Sequence, residues 1–349
     1  MNEKKDIKSF TIEELKQEVK EALGDKPFRG TQLYQWIHRR LSGSFEEMTN
    51  LPKAMREKLE EGYSLTSLKK LEVRESAIDG TRKYLFGLED GNVIESVWMK
   101  YKHGNSVCIS SQAGCRMGCR FCASTLEGLE RNLLPSEMLD QIYQIRKDTG
   151  ERISNVVVMG SGEPMDNYDN LVRFIHLLIS EDGMNISQRN LTISTCGIVP
   201  GIRRLAEEGL AVTLALSLHA PNDKVRQTLM PIAKVYPLSE VMEACREYFR
   251  KTGRRITFEY SLVKGVNDNL EEAKALAKLL KGESGHVNLI PVNPVKERDY
   301  VQSDPRSVEK FKNYLEKSGI NVTVRREMGR DIDGACGQLR RSYMKKKEG

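Results

Sequence analysis

The chain reads as an α/β protein: an incomplete parallel (β/α) barrel with a small N-terminal helical domain and a short antiparallel sheet. Three observations predict this. Candidate strands at 106–111, 154–160, 190–195, 211–219, 255–262, 286–292 and 321–326 alternate with amphipathic helices at 135–148, 168–180, 199–208, 238–251, 270–281 and 306–317. Strand starts recur about every 36 residues, the rhythm of βα units with covering helices. Six or seven such units in about 220 residues are fewer than the roughly 250-residue eightfold barrel needs. The alternation leaves closure open, since a doubly wound open sheet satisfies it equally.

The elements before the barrel have other textures. Thr11-Ile12-Glu13-Glu14 is a capping-box pattern opening a helix through Val19 and Leu23, ended by Gly24-Asp25-Lys26-Pro27. Leu33, Trp36, Ile37 and Leu41 keep helical spacing, and Leu51-Pro52 opens a further helix through Met55 and Leu59. Residues 1–70 are therefore expected to form a helical accessory domain. Residues 71–100 switch to strand patterns, with Asp79-Gly80 and Asp90-Gly91 as hairpin turns. The barrel is expected over 101–326, and 327–349 is a Gly-rich, then Lys-rich tail.

Composition excludes several classes. The 349 residues carry 55 Lys+Arg and 49 Asp+Glu, a net charge of +6. No run of about 18 apolar residues exists, so no transmembrane helix and no membrane partner are expected. The N-terminus lacks the apolar segment of a signal peptide. Seven cysteines, an odd number, then point to a reducing, cytoplasmic setting rather than a disulfide framework.

Three of these cysteines, Cys115, Cys119 and Cys122, form Cys-x3-Cys-x2-Cys after the first barrel-type strand. Zinc fingers and ribbons use paired Cys-x2-4-Cys knuckles and four ligands. Iron–sulfur clusters normally take four thiolates, so three would leave one iron open to a small molecule. A zinc site completed by a distant Cys or His is the alternative. Polar groups follow other strands: Gly162 and Glu163, Ser194, Ser217 with Leu218 and His219, and Asn293. All stand where α/β barrels place their sites.

The cysteine motif resembles that of the radical S-adenosylmethionine (SAM) enzymes. Wider stretches, Ile109–Thr125, Met159–Pro164 and Asp331–Leu339, resemble the RlmN/Cfr family of RNA methyltransferases, and the resemblance covers nearly the whole chain, including Phe28-Arg29 through Trp36-Ile37 and Met48-Thr49-Asn50-Leu51. The sequence departs from the family pattern at Ser161 and Gly334, without losing a functional side chain. The resemblance implies a radical SAM partial barrel and a 4Fe-4S cluster on Cys115, Cys119 and Cys122. It implies SAM contacts at Gly162, Glu163, Ser194, Ser217, Leu218, His219 and Asn293. It implies methylation of adenine C2 in 23S rRNA and at tRNA position 37. Cys336 would be methylated by a first SAM. A deoxyadenosyl radical from a second SAM would abstract hydrogen from that methyl, and the resulting carbon radical would add to C2. Cys108 would then release the product by disulfide formation. Glu95 matches the family's proton acceptor, with Cys108 as the alternative. An electron donor such as flavodoxin or ferredoxin is implied, and a monomer is expected. Cys196 and Cys245 are read as packing residues.

Residues 325–349 hold eight basic and four acidic side chains, +4 of the chain's +6, around Cys336. This suits phosphate neutralisation beside the site. Arg29, Lys53 and Arg56 are read as RNA contacts on the helical domain. Two rival readings remain at this stage: a Cfr-type C8 methyltransferase, and a non-catalytic metal-stabilised RNA-binding protein.

Overall fold

A computed structural model describes residues 4–102, 104–293, 295, 297–332, 340 and 343. The accessory segment begins with β1 (Lys5–Asp6), α1 (Ile12–Glu21), α2 (Phe28–His38), α3 (Lys53–Gly62) and β2 (Tyr63–Ser64). The capping box is present: Glu14 N–H donates to Thr11 Oγ1 (3.3 Å) and Thr11 N–H to Glu14 Oε2 (2.7 Å). A Cβ on Gly30 would stand 2.6 Å from the Lys16 Cα, so glycine sets the close approach of α1 and α2.

Three antiparallel strands follow, β3 (Lys69–Glu75), β4 (Arg82–Gly87) and β5 (Val93–Tyr101), then β6 (Gly104–Ile109). A hairpin of β7 (Gln112–Gly114) and β8 (Leu129–Asn132) interrupts the chain. The βα units then run α4 (Pro135–Thr149), β9 (Ile153–Val158), α5 (Tyr168–Ile179), β10 (Leu191–Thr195), α6 (Val199–Glu207) and β11 (Thr213–Ser217). They continue with α7 (Asp223–Leu229), α8 (Leu238–Thr252), β12 (Ile256–Leu262), α9 (Leu270–Leu279), β13 (Gly285–Pro291), α10 (Pro305–Lys317) and β14 (Val322–Val324).

Among the described residues, ten strands form one sheet in the order β14-β13-β12-β11-β10-β9-β6-β5-β4-β3. From β6 to β14 all pairings are parallel and the order follows the chain without reversal. A doubly wound sheet would reverse at a switch point. With right-handed crossovers this winding keeps the helices on one face and the strand ends in one arc, as in a barrel. No described strand pairs β14 with β3, so the barrel stays open. The antiparallel strands β3–β5 extend this same sheet at the β6 edge.

The accessory helices pack on the outer helices. Lys8 and Asp140 form an ion pair of 2.6 Å with side chains 4% and 2% exposed. His38 Nδ1 meets the Tyr143 hydroxyl at 2.8 Å. Leu15, Leu33, Ile37, Tyr143 and Leu177 belong to the same apolar core as the barrel strands. Breaking a buried ion pair leaves an uncompensated charge, so Asp140→Ala should lower unfolding free energy by about 3–5 kcal/mol; equilibrium urea unfolding would measure this. Full burial holds His38 down at about 3 against an ordinary 6.5. Its contribution to stability is complete above pH 6.5 and lost as pH falls toward about 3, at up to about 1.4 kcal/mol per pH unit. Melting temperature should therefore fall less steeply between pH 6.5 and 5 in His38→Gln than in the parent chain.

Candidate active site

The loop that carries Cys115, Cys119 and Cys122 is built on the β7–β8 hairpin. Cys115 N–H donates to the Gly128 carbonyl at 2.7 Å. The left-handed Gly114 (φ 77°) permits this closure, since a Cβ there would stand 2.1 Å from the Gly128 oxygen. Thr125 Oγ1 donates to the carbonyls of Cys119 and Cys122, both at 3.0 Å, and Arg120 N–H donates to the Leu229 carbonyl at 2.9 Å. The three cysteines thereby line one cavity of about 180 Å³. Gly162, Glu163, Ser194, Ser217 and His219 line it too, at the carboxyl ends of β9, β10 and β11.

Glu163 ties three of these elements together. Its N–H donates to Gln112 Oε1 (2.8 Å), and its carboxylate accepts from Met165 N–H (3.1 Å) and Cys196 N–H (2.8 Å). Burial pushes its carboxyl above the usual range, while the N–H donors from Cys196 and Met165 oppose that shift. His219 Nδ1 accepts the Ser261 N–H at 2.9 Å, which leaves the proton on Nε2. Burial, aided by the Arg226 charge, holds this imidazole down at about 3, so near neutral pH it is an uncharged donor. Its backbone is left-handed (φ 55°), and its ring meets Phe121 edge-on at 4.7 Å.

The remaining expected residues fall nearby but not all in this cavity. Leu218 is fully buried in the main core, because strand alternation turns it away from Ser217 and His219. Asn293 lines a neighbouring cavity of about 190 Å³ with Cys108, Val97, Met99, Gln302, Arg325 and Arg326. Met159 joins the two, lining the first and packing with Cys108. Glu95 is buried on β5 with its carboxylate 3.2 Å from the Lys83 ammonium. Cys336 lies outside the described residues. Cys245 is core, as expected; Cys196 packs with Cys119 but also forms cavity wall. On the accessory helices, Arg29 pairs with Asp25 at 3.0 Å and Lys53 lies 3.7 Å from Glu57.

Arg226 supports the site from below, and the sequence reading did not single it out. It is fully buried, and its guanidinium donates to the carbonyls of Cys196 (2.6 Å), Leu218 (3.2 Å) and Ser217 (3.4 Å). It thus gathers the ends of β10 and β11 beneath the cavity. Its helix α7 has seven residues, too short for a clear periodic signal.

The residues fit an iron–sulfur cluster. Among the described residues no three His, Cys, Asp or Glu groups converge on a single metal ion. Three thiols lining one cavity suit the thiolate ligation of such a cluster. Burial, with Cys122, Glu163 and Asp166 nearby, pushes the Cys115 thiol up to about 12, so a cationic group is needed to hold thiolates there. Gly162 fixes the cavity's rim: its φ is 109°, and a Cβ would stand 2.7 Å from both the Gln112 Cβ and the Ser111 Oγ. Gly162→Ala should cost about 1–3 kcal/mol from the backbone strain. Iron bound per chain after anaerobic reconstitution should fall with it.

Known proteins place this arrangement. Residues 109–280 match the radical SAM superfamily, and residues 5–65 match the ribosomal RNA large subunit methyltransferase N-terminal domain. The chain is 65% identical over 339 residues to a probable dual-specificity RNA methyltransferase RlmN of Lachnospira eligens, covering 97% of each chain. It is 63% identical over 346 residues to the corresponding protein of Lachnoclostridium phytofermentans, covering 99% of this chain and 97% of that one. The crystal structure of a radical SAM methyltransferase from Sphaerobacter thermophilus superposes with a TM-score of 0.91 at 41% identity, over 96% of this chain and 98% of that one. With three thiols and a buried carboxylate at the strand ends of a matching fold, the chain belongs to the RlmN family of dual-specificity RNA methyltransferases within the radical SAM superfamily.

Proposed function

We propose that this enzyme methylates C2 of an adenosine in the peptidyl-transferase region of 23S rRNA and C2 of adenosine 37 in tRNA. The observation that carries this reading is the adjacency of two cavities. One holds the three cysteines and Glu163; the other holds Cys108 beside Arg325 and Arg326; Met159 stands between them. Radical generation and thiol chemistry are thus supported at one end of one sheet, with cations available for RNA phosphates.

Adenine C2 lies between two ring nitrogens and is not nucleophilic, so it cannot displace a methyl group from SAM. A 4Fe-4S cluster on Cys115, Cys119 and Cys122, when bound with SAM, supplies the one-electron chemistry that makes a carbon radical. The chain's own groups do the rest. Glu163 offers a carboxylate to the ammonium of the SAM methionine, and His219 an uncharged N–H donor. Gly162, Ser194 and Ser217 line the same cavity and add to the SAM contacts expected from the family pattern; of the other two expected positions, Leu218 could contribute only through its backbone and Asn293 only from the neighbouring cavity. Cys336 takes a methyl group by nucleophilic displacement and carries it as a thioether. Once this carbon is bonded to C2, the adduct would return one electron to the oxidised iron–sulfur centre and give the C2 proton to a base, for which the family pattern offers Glu95 or Cys108. Cys108 then attacks the Cys336 sulfur; the S–C bond breaks, the carbon takes a proton and becomes the product methyl, and a disulfide remains. An external dithiol reductant restores both thiols. A flavodoxin- or ferredoxin-type donor supplies the electrons, and the chain acts as a monomer on a base taken out of the helix stack.

The test uses anaerobic, reconstituted enzyme with a reductant, rRNA or tRNA, and SAM deuterated in its methyl group. Mass spectrometry of the digested RNA should show 2-methyladenosine, with one deuterium passed to 5′-deoxyadenosine. Finding 8-methyladenosine overturns the C2 assignment. In Cys108→Ala, the protein–RNA adduct should persist on denaturing gels, and full turnover there would remove Cys108 from the release step.

A further inference from the structure

Lys83 is fully buried, although nothing in the scheme above uses it. It faces the concave side of the sheet. Lys83 on β4 pairs in register with Val97 on β5, and Val97 with Cys108 on β6, so the three form one row. Glu95 stands two residues before Val97 and therefore on the same face. Lys83 Nζ lies 3.2 Å from Glu95 Oε2, with side chains 0% and 6% exposed. Burying two charges costs several kcal/mol per ion before their attraction repays it, so a strand that only had to pack would do better with apolar side chains here.

What the pair holds is visible at Glu95. Its Oε1 accepts the backbone N–H of Arg340. The Arg340 guanidinium then lies 3.3 Å from Glu127 Oε2, in the loop that carries the three cysteines. Tyr343 packs against Leu85 and Val93 on the same strands. The chain is also fastened upstream. Asp331 accepts from Ser76 Oγ (2.6 Å) and Ala77 N–H (2.9 Å), and Gly329 N–H donates to Asp79 (3.0 Å). Cys336 lies in sequence between these two moorings, five residues after Asp331 and four before Arg340.

We propose that Lys83 and Glu95 are a positioning pair: Glu95 holds the backbone of residue 340, Lys83 holds Glu95 in place as its counter-ion, and Arg340 links the segment bearing Cys336 to the cluster loop through Glu127. Because the held group is a backbone N–H, the clasp fixes where the chain runs whatever side chain follows. A charge-assisted bond of this kind is about twice as strong as a neutral one. Glu95 is thus a positioning residue, in contrast to the proton-acceptor role the family pattern gives it. This inference rests on the reading that Cys336 carries the methyl group.

Two measurements test it. The first needs no RNA: amide hydrogen exchange of the peptide containing residue 340, in the reconstituted enzyme. Lys83→Met and Glu95→Gln should each raise its exchange rate at least about tenfold, and Lys83→Arg should restore most of the protection. Unchanged protection in both variants overturns the clasp.

The second uses the Cys108→Ala background, in which the RNA adduct accumulates. Adding Lys83→Met should cut adduct yield at least about tenfold, with bound iron per chain equal to that of the Cys108→Ala parent. Adduct at the parent's level in the double variant overturns the proposal. So does adduct accumulation in Glu95→Gln with Cys108 intact, since that is the signature of a missing proton acceptor. If Cys108→Ala itself forms no adduct, the proposed function fails, while the exchange measurement still decides the clasp.

Discussion

The site depends on one close fit, that of Gly160–Glu163 across the end of β6. Ser161 N–H donates to Ser110 Oγ at 3.0 Å, and the Ser161 carbonyl accepts from Ser111 and Gln112 at 2.9 and 3.1 Å. Gly160 has no space for a side chain, as a Cβ would stand 2.7 Å from the Ile109 oxygen. This knot joins β9 to β6, and through Gln112 it reaches the root of the cysteine loop. Through Glu163 it reaches β10. A shift there would move the three cysteines, the buried carboxylate and the Ser194 strand together, so cavity geometry is set by backbone packing before any ligand arrives.

Most of the barrel was legible because its signals are local. Helices α4, α5, α6, α8, α9 and α10 and strands β9 to β13 have strong apolar periodicity, and the expected segments overlap them closely. Closure was not legible, since it depends on whether β14 meets β3, a contact between distant segments that no local pattern encodes. The β7–β8 hairpin was missed for a related reason: it has three and four residues and is held by a glycine contact across the loop.

At the site, residue types were readable and directions were not. Gly162, Glu163, Ser194, Ser217 and His219 share the cavity with the cysteines, as their strand-end positions suggested. Leu218 and Asn293 show the limit: one is turned into the core by alternation, and the other faces the Cys108 cavity because β13 lies toward the open edge. Arg226 and Lys83 drew no functional reading from the sequence, and only the tertiary structure shows both to be fully buried. A buried cation carries no mark in sequence that separates it from a solvated one.

The shared core of the accessory helices and the barrel has a consequence for the choice of RNA. Apolar side chains from both belong to one continuous cluster, with the Lys8–Asp140 pair set between them. The accessory helices are thus not an arm on a joint but one jaw of a fixed gauge. An RNA that touches them while presenting its adenine at the strand ends meets two surfaces whose spacing is already decided. A substrate held by both would have to match that spacing.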